Sequence, residues 1–520
     1  MGNKGFFSKL YKQFKAWHKY LGLALSVIIL WMSVSGILLN HPDLIAELSV
    51  HKDWVPEEYT PQNWNRGVLS DALFLSGKHF FFAGKQGIWE SQDGGATYQN
   101  ASDKGFEPAP YYKKTNDLFL LPDQQKLLAA TYGGLWLYDL KQEKWQRLAA
   151  GEYAREQFVK ILQRKGELLA FSKSGLWVAP LDQPTAFHPR RLTQAGLEEM
   201  DLISFFFALH SGWLWGSGGR LVVDVIGLLL IFLTLGALLV FYIKQRKVKL
   251  SIRQKRWLSW NIRYHHQIGF ASLFFLLVIG GTGLFMRPPL LGVLMDKAVG
   301  GHWLQTTVMV NPWYHSIRNA TYIPETDELI IDTSKGLYQG PAEGQQPFEK
   351  AYWPAHIFPM GATVFDYKGD GDFLLGSFYG LHNVRQGDDF ALDLLTQKPV
   401  YPEDWNFRPN RLMTTGFFID PKGVAYLSAY GQGLLPMNPF LQSEYPMPAE
   451  IATEYRMPLW NFMFELHNAR LFRPLLSKWV ILVNPLLGIF FVVLCITGGY
   501  EYVWRRRKSW KSTLKKRLKR

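Results

Sequence analysis

Four apolar runs dominate the hydrophobic pattern: Tyr20–Leu39, Leu221–Ile243, Gln267–Met286 and Trp479–Val503. Each approaches the roughly 20 residues a helix needs to cross the hydrocarbon of a bilayer. The two long segments between them have a different texture. Short apolar runs such as Phe80-Phe81-Phe82, Leu168-Leu169-Ala170-Phe171 and Phe373-Leu374-Leu375 are each followed by a glycine turn. Gly87, Gly134, Gly175, Gly336, Gly380 and Gly433 each open a Gly-apolar motif, and within each half these recur every 41 to 53 residues. Such runs predict antiparallel sheet, and this period predicts propeller-like blades, three per half. Six blades drawn from both halves would close one ring and hide the sheet edges; two separate β domains are the alternative.

Charge orients these elements. Residues 1–20 carry five lysines and no acid, 244–263 eight basic residues and no acid, and 505–520 ten basic residues and no acid. The rest of the chain is net acidic, although the total is +14. The positive-inside rule places the three basic segments in the cytoplasm. The predicted order is a basic N-terminus with the first transmembrane helix (1–41), a periplasmic β segment (42–208), the second helix (209–243), a basic cytoplasmic loop (244–264), the third helix (265–287), a second periplasmic β segment (288–465), the fourth helix (466–504) and a basic tail (505–520). The fold class expected is a four-helix transmembrane bundle in two tandem repeats with an all-β periplasmic domain. The location expected from the charges is a membrane crossed several times, with both termini cytoplasmic. The basic charge is thus topological, so the lipid bilayer is the expected partner and nucleic acid is not. The single cysteine excludes a disulfide framework, thiolate zinc sites, iron–sulfur clusters and covalent c-type haem.

The tandem repeat carries the candidate chemistry. His18-Lys19-Tyr20-Leu21-Gly22 and His265-His266-Gln267-Ile268-Gly269 share a His-x-x-x-Gly pattern at the start of a span. Ser35-Gly36 and Thr282-Gly283 follow at the same offset of 247, as do Pro42 and Pro289. Leu209-His210 and Leu466-His467 precede spans two and four. His18 and His265 are therefore equivalent at the inner face, and His210 and His467 at the outer face. Two neutral imidazoles brought together by pseudo-symmetry suit the axial positions of one haem iron, a six-coordinate arrangement for electron transfer. The glycines at positions 22, 36, 269 and 283 would admit the macrocycle. His266 and His41 are substitute ligands. Arg220 is the candidate for a haem propionate, and Asp224 the candidate partner of Arg220. A histidine at a helix end is equally an interfacial residue; the symmetric placement of four argues against that here. His51, His79, His188, His302, His315, His356 and His382 read as ordinary external residues, and Cys495 as packing.

Trp17-His18-Lys19-Tyr20-Leu21-Gly22, Ser35-Gly36, Leu209-His210-Ser211-Gly212 through Arg220, and Thr282-Gly283 together resemble the PepSY-associated transmembrane helix family of bacteria. That family includes inner-membrane ferric-siderophore reductases with b-type haem between helices. The resemblance implies two haem b groups on His18, His210, His265 and His467, and reduction of a periplasmic ferric chelate for iron acquisition. The external part departs from the family, since propeller-like repeats stand where a PepSY module would. Ser91-Gln92-Asp93-Gly94-Gly95-Ala96-Thr97-Tyr98 resembles the Asp-box hairpin of sialidase-type propellers, a structural motif. No dinucleotide fingerprint or P-loop is present, so electrons would come from a quinol or a cytoplasmic reductase. A membrane-anchored sensor or assembly factor with a protein-binding propeller is the alternative.

Overall fold

The computed structural model describes residues 2–122, 125–148, 156–194, 199–246, 250–295, 297–300, 311–405 and 408–517. It divides into a helical unit (Met1–Leu44, Glu198–Val308, Phe462–Arg520) and a β unit (Ile45–Leu197, Met309–Asn461). The position of His302 lies outside the described residues.

In the helical unit, Ser8–Asn40, Trp213–Arg246 and Arg470–Arg507 are long and apolar enough to cross a membrane. Large apolar side chains such as Val27, Leu221 and Phe274 face outward, as lipid-facing positions require. The expectation of four single spans needs correction at the third. Ile252–Ala271 and Leu273–Leu284 meet at Ser272 with a bend of 63°, and make a fourth crossing only if taken together. At the bend, Ser272 Oγ donates to the Ile268 carbonyl at 2.8 Å, a back-bond that favours bending. The helix Gly2–Asn40 packs against Gly216–Arg246 and Val483–Arg517, and the last of these also packs on Leu273–Leu284. Two short helices, Leu202–Ser211 and Leu459–His467, precede spans two and four. Gly212, at φ 83°, ends the first of them in the left-handed conformation that glycine favours.

The β unit holds six antiparallel meander sheets. They start at the strands Asp71–Phe74, Thr115–Leu120, Phe158–Arg164, Ile317–Ile323, Val364–Gly369 and Thr414–Ile419. Four sheets have four strands, the fifth has five and the sixth three. The first strand of each sheet packs on the first strand of the next, and that of the sixth packs on that of the first. Both faces of each sheet are therefore covered. In Phe80-Phe81-Phe82 the outer two side chains enter a core shared with Phe418 and Tyr426 of the sixth sheet. Phe81 points the other way, into a core with Leu127 and Tyr138 of the second sheet. This is why the strands read as continuous apolar runs rather than alternation. Removing any of these fully buried rings would cost about 3–5 kcal/mol.

Polar clasps join neighbouring sheets. Asp71 accepts from Leu118 N at 2.6 Å, Asp117 from Ile161 N at 2.8 Å, and Asn319 donates to the Ala362 carbonyl at 3.1 Å. Thr363 donates to the Thr414 carbonyl at 2.9 Å, and Ser428 to the Leu69 carbonyl at 2.8 Å. Across the third and fourth sheets, Arg164 forks onto Asp327 at 2.7 and 2.6 Å. The Asp-box pattern is realised in the first sheet: Asp93 accepts from Ser91 Oγ, Thr97 N and Thr97 Oγ1, and Gly95 N donates back to Ser91.

Lys160 reaches Asp117 at 2.9 Å and Asp366 at 3.6 Å. Beside them, burial first and the Asp117 charge second push the Asp71 carboxyl up to about 7, against the pull of Lys160 and the Leu118 amide. The proton on Asp71 therefore favours the folded state; the gain is complete below the ordinary carboxyl pKa and vanishes as the pH rises through about 7. In calorimetry of the whole protein in detergent, the melting midpoint of the native chain relative to Asp71→Asn should fall between about pH 4 and about pH 7 and level off above that. A difference independent of pH contradicts this.

Candidate functional site

Four of the thirteen histidines form two facing pairs. The rings of His18 and His265 stand 6.1 Å apart between centroids with 70° between their planes. Those of His210 and His467 stand 6.4 Å apart at 67°. All four are anchored through Nδ1. His18 Nδ1 lies 3.1 Å from the Leu494 carbonyl and His265 Nδ1 3.2 Å from that of Leu233. His210 Nδ1 lies 3.0 Å from the Ile279 carbonyl and 3.2 Å from Thr282 Oγ1. His467 Nδ1 lies 2.8 Å from Ser35 Oγ.

Partner chemistry assigns the tautomers. A carbonyl only accepts, so Nδ1 carries the hydrogen in His18, His265 and His210. Ser35 and Thr282 spend their own hydroxyl hydrogens on the Trp31 and Val278 carbonyls, at 2.8 and 2.7 Å. Their oxygens are left to accept from His467 and His210. In the neutral form each ring would present the lone pair of Nε2, the atom that binds a metal.

The anchors cross between the two halves of the repeat. Ser35 of the first half holds His467 of the second, and Thr282 of the second holds His210 of the first. The glycine beside each hydroxyl lies under the ring it serves. A Cβ on Gly36 would stand 3.6 Å from His467 Cε1, and one on Gly283 3.0 Å from His210 Cε1. Gly498 does the same for His18, where a Cβ would come within 2.7 Å of Cε1. So Gly36 and Gly283 seat imidazoles, whereas Gly22 and Gly269 line a cavity of about 530 Å³ with His18 and His265. That volume is ordinary for a ligand or cofactor pocket. Lys19, Lys244 and Arg505 also line it.

The remaining candidates are placed differently. His266 lines the same cavity but meets His265 edge-on, at 5.9 Å. His41 is taken by Asp224, with Nε2 2.6 Å from the carboxylate, and Asn40 donates to the other carboxylate oxygen at 3.4 Å. Asp224 is therefore the partner of His41, not of Arg220, because the end of the first span lies against it. Arg220 Nε has no hydrogen-bond partner among the described residues, and neither has Arg470 Nε, although Arg470 reaches Glu465 at 3.3 Å. His79 pairs with Glu90 and His51 with Asp53. Cys495 packs with Ile226 and Leu276. Among the described residues no three His, Cys, Asp or Glu side chains converge as a metal site; a porphyrin iron needs only two from the protein. Sequence reading did not find the Leu233 and Leu494 carbonyls, since a main-chain acceptor leaves no mark on residue type.

The profile of the PepSY-associated TM region matches residues 15–397, well over half of the chain. The chain belongs to this family. No curated protein matches it. Solved structures resemble it loosely. An ancestral GH74 enzyme is 10% identical with a TM-score of 0.31, over 72% of this chain and 37% of that one. A dihydro-heme d1 dehydrogenase in complex with DHE is 10% identical with a TM-score of 0.29, over 70% and 53%. The Cps50 (Swd1) beta-propeller domain of Myceliophteria thermophila is 11% identical with a TM-score of 0.31, over 72% and 87%. The chain thus spans about two fifths of the length of the first of these. Likenesses this loose assign neither a fold nor an activity. What stands is a membrane protein of the PepSY-associated TM family that carries a large β unit.

The glycine seats give a matched test of this family member. Gly498→Ala drives a methyl into His18 and should destabilise the protein by about 1–3 kcal/mol, read as a lowered melting midpoint in detergent. Gly281→Ala, where nothing lies within 4 Å of an added Cβ, should leave the midpoint unchanged. Equal effects of the two contradict the seating of His18.

Proposed function

We propose that this protein binds two b-type haems and moves electrons across the bacterial inner membrane to a ferric chelate in the periplasm. The observation that carries the reading is the spacing of the paired rings. A ligating ring nitrogen sits about 2 Å from a first-row metal ion and about 1.1 Å from its own ring centre, so two imidazoles sharing one ion would hold their centroids about 6.2 Å apart. The pairs stand at 6.1 and 6.4 Å, within 0.2 Å of that value. Facing aromatic side chains also pack at such distances; four Nδ1 anchors that leave every Nε2 free are not needed for packing alone.

Each residue has a definite task in this reading. The carbonyls of Leu494, Leu233 and Ile279 and the hydroxyls of Ser35 and Thr282 keep the proton on Nδ1 and fix the ring planes. Gly22 and Gly269 leave the cavity wall free of side chains. Lys19, Lys244 and Arg505 suit carboxylate groups at one end of it, and the orphaned Nε–H of Arg220 suits another. Apolar side chains such as Leu230, Leu276 and Phe491 exclude water. A bis-imidazole haem supplies a one-electron carrier without an open coordination position. The donor is a quinol or a cytoplasmic reductase. With the basic flanks inside, both termini are cytoplasmic, and the β unit is periplasmic. The packing of the sixth sheet on the first supports one closed six-bladed propeller built from both halves, which docks the acceptor chelate or a partner protein.

Reduced-minus-oxidised visible spectra of the purified protein test this. The native chain should show b-type bands. His18→Ala or His265→Ala should remove about half of the absorbance, His210→Ala or His467→Ala the other half, and His41→Ala and His266→Ala little, as expected for axial pairs. A colourless native protein, or four single variants that keep the full spectrum, overturns the reading in favour of an anchored sensor or assembly factor.

A further inference from the structure

Two lysines of the β unit share one tyrosine and no acid. Lys114 immediately precedes the first strand of the second sheet, and Tyr132 lies in the turn Thr131–Gly134 of the same sheet. Lys173 lies in the corresponding turn, Ser172–Gly175, of the third sheet. Lys114 Nζ is 2.9 Å and Lys173 Nζ 3.4 Å from the Tyr132 hydroxyl. Both ammonium groups also sit over its ring, at 4.2 and 4.6 Å from the centroid. All three residues are half-buried. Backbone bonds hold them in place: Tyr132 N donates to the Lys114 carbonyl and Lys173 N to that of Gln157, both at 2.9 Å.

Like charges gathered at a half-buried point normally find a counter-ion. Neighbouring Lys113 pairs with Asp103 at 2.7 Å, and Lys104 with Glu90 and Glu143. Among the described residues no carboxylate lies within ion-pair distance of Lys114 or Lys173. Burial opposes ionisation of the Tyr132 hydroxyl, yet the two lysines outweigh it and bring the phenol down to about 7, which reports the strength of the positive potential there.

The equivalent turns of the other sheets are also basic or aromatic. Lys85 and Lys335 occupy those of the first and fourth sheets, and aromatic residues those of the fifth and sixth. None of the six turns contains an acid. Arg66 lies over Tyr430 of the sixth-sheet turn at 5.4 Å, and its Nε has no hydrogen-bond partner among the described residues.

We propose that these turns form a docking site for an anionic, oxygen-rich ligand, with Lys114 and Lys173 as its principal charge contacts. Joined to the haem reading on which this last step rests, the site makes the electron acceptor an anionic ferric chelate rather than a neutral or cationic one. Tyr132 holds the two ammonium groups together until a ligand with more negative charge replaces its hydroxyl as their acceptor.

Calorimetric titration of the full chain in detergent tests the site. The probes are gallium(III) citrate, an anionic chelate that cannot be reduced, and a cationic gallium(III) hydroxamate. The anionic probe should bind and weaken as salt is added. Its affinity should drop at least about tenfold in Lys114→Gln/Lys173→Gln, as loss of two charge-assisted contacts implies, and persist in Tyr132→Phe. The cationic probe should bind far more weakly. Should the double variant misfold, Lys173→Arg should keep binding and Lys173→Glu lose it. No binding of gallium citrate, equal binding in the lysine variants, or equal binding of the two probes overturns the proposal. Gallium binding needs neither electrons nor haem, so visible spectra of the same samples report separately on the haem reading.

Discussion

The ring pairs of the helical unit depend on one constraint: a buried imidazole must give its Nδ1–H to an acceptor inside the protein. In a bilayer no water stands in for that acceptor. Carbonyls of Leu494, Leu233 and Ile279 and the hydroxyls of Ser35 and Thr282 fill the role. Each comes from the opposite half of the repeat, so neither half can orient its own histidines. The geometry of both ring pairs therefore depends on the two halves packing correctly. Glycines are the second requirement at Gly283 and Gly498, where an added Cβ would come within 3.0 and 2.7 Å of an imidazole carbon.

The β unit obeys a different rule. Its sheets are apolar on both faces and need a neighbour on each side. The six apolar cores therefore alternate with the six sheets, and the pair between the first and sixth contains some of the largest buried rings, Trp64, Phe80, Phe82 and Tyr426. Polar side chains on the first strands bond to the backbone of the next sheet, which fixes register where apolar packing alone would tolerate slip. Charges such as Lys160 with Asp117 and Arg164 with Asp327 pair with one another where the sheets meet.

Much of this was legible in the residues. The constant offset of 247 linked His18 with His265 and Ser35-Gly36 with Thr282-Gly283, and the glycine turns marked six sheets. What stayed hidden has a physical reason in each case. The third span breaks at Ser272, and a serine in an apolar run does not announce that. Asp224 was read against Arg220, one turn away on the same helix, but His41 arrives from another. Gly36 and Gly283 suggest room for a macrocycle, and the residue types do not tell that an imidazole carbon also approaches each. The Lys114–Tyr132–Lys173 cluster joins residues from two sheets, and no local pattern brings them together.

Low-temperature electron paramagnetic resonance of the oxidised protein, with iron quantified in the same sample, bears most directly on the ring pairs. Imidazole on both axial sides should give low-spin ferric signals and two irons per chain. A sample without iron, or one whose ferric signal is high-spin, would contradict ligation by the facing histidines.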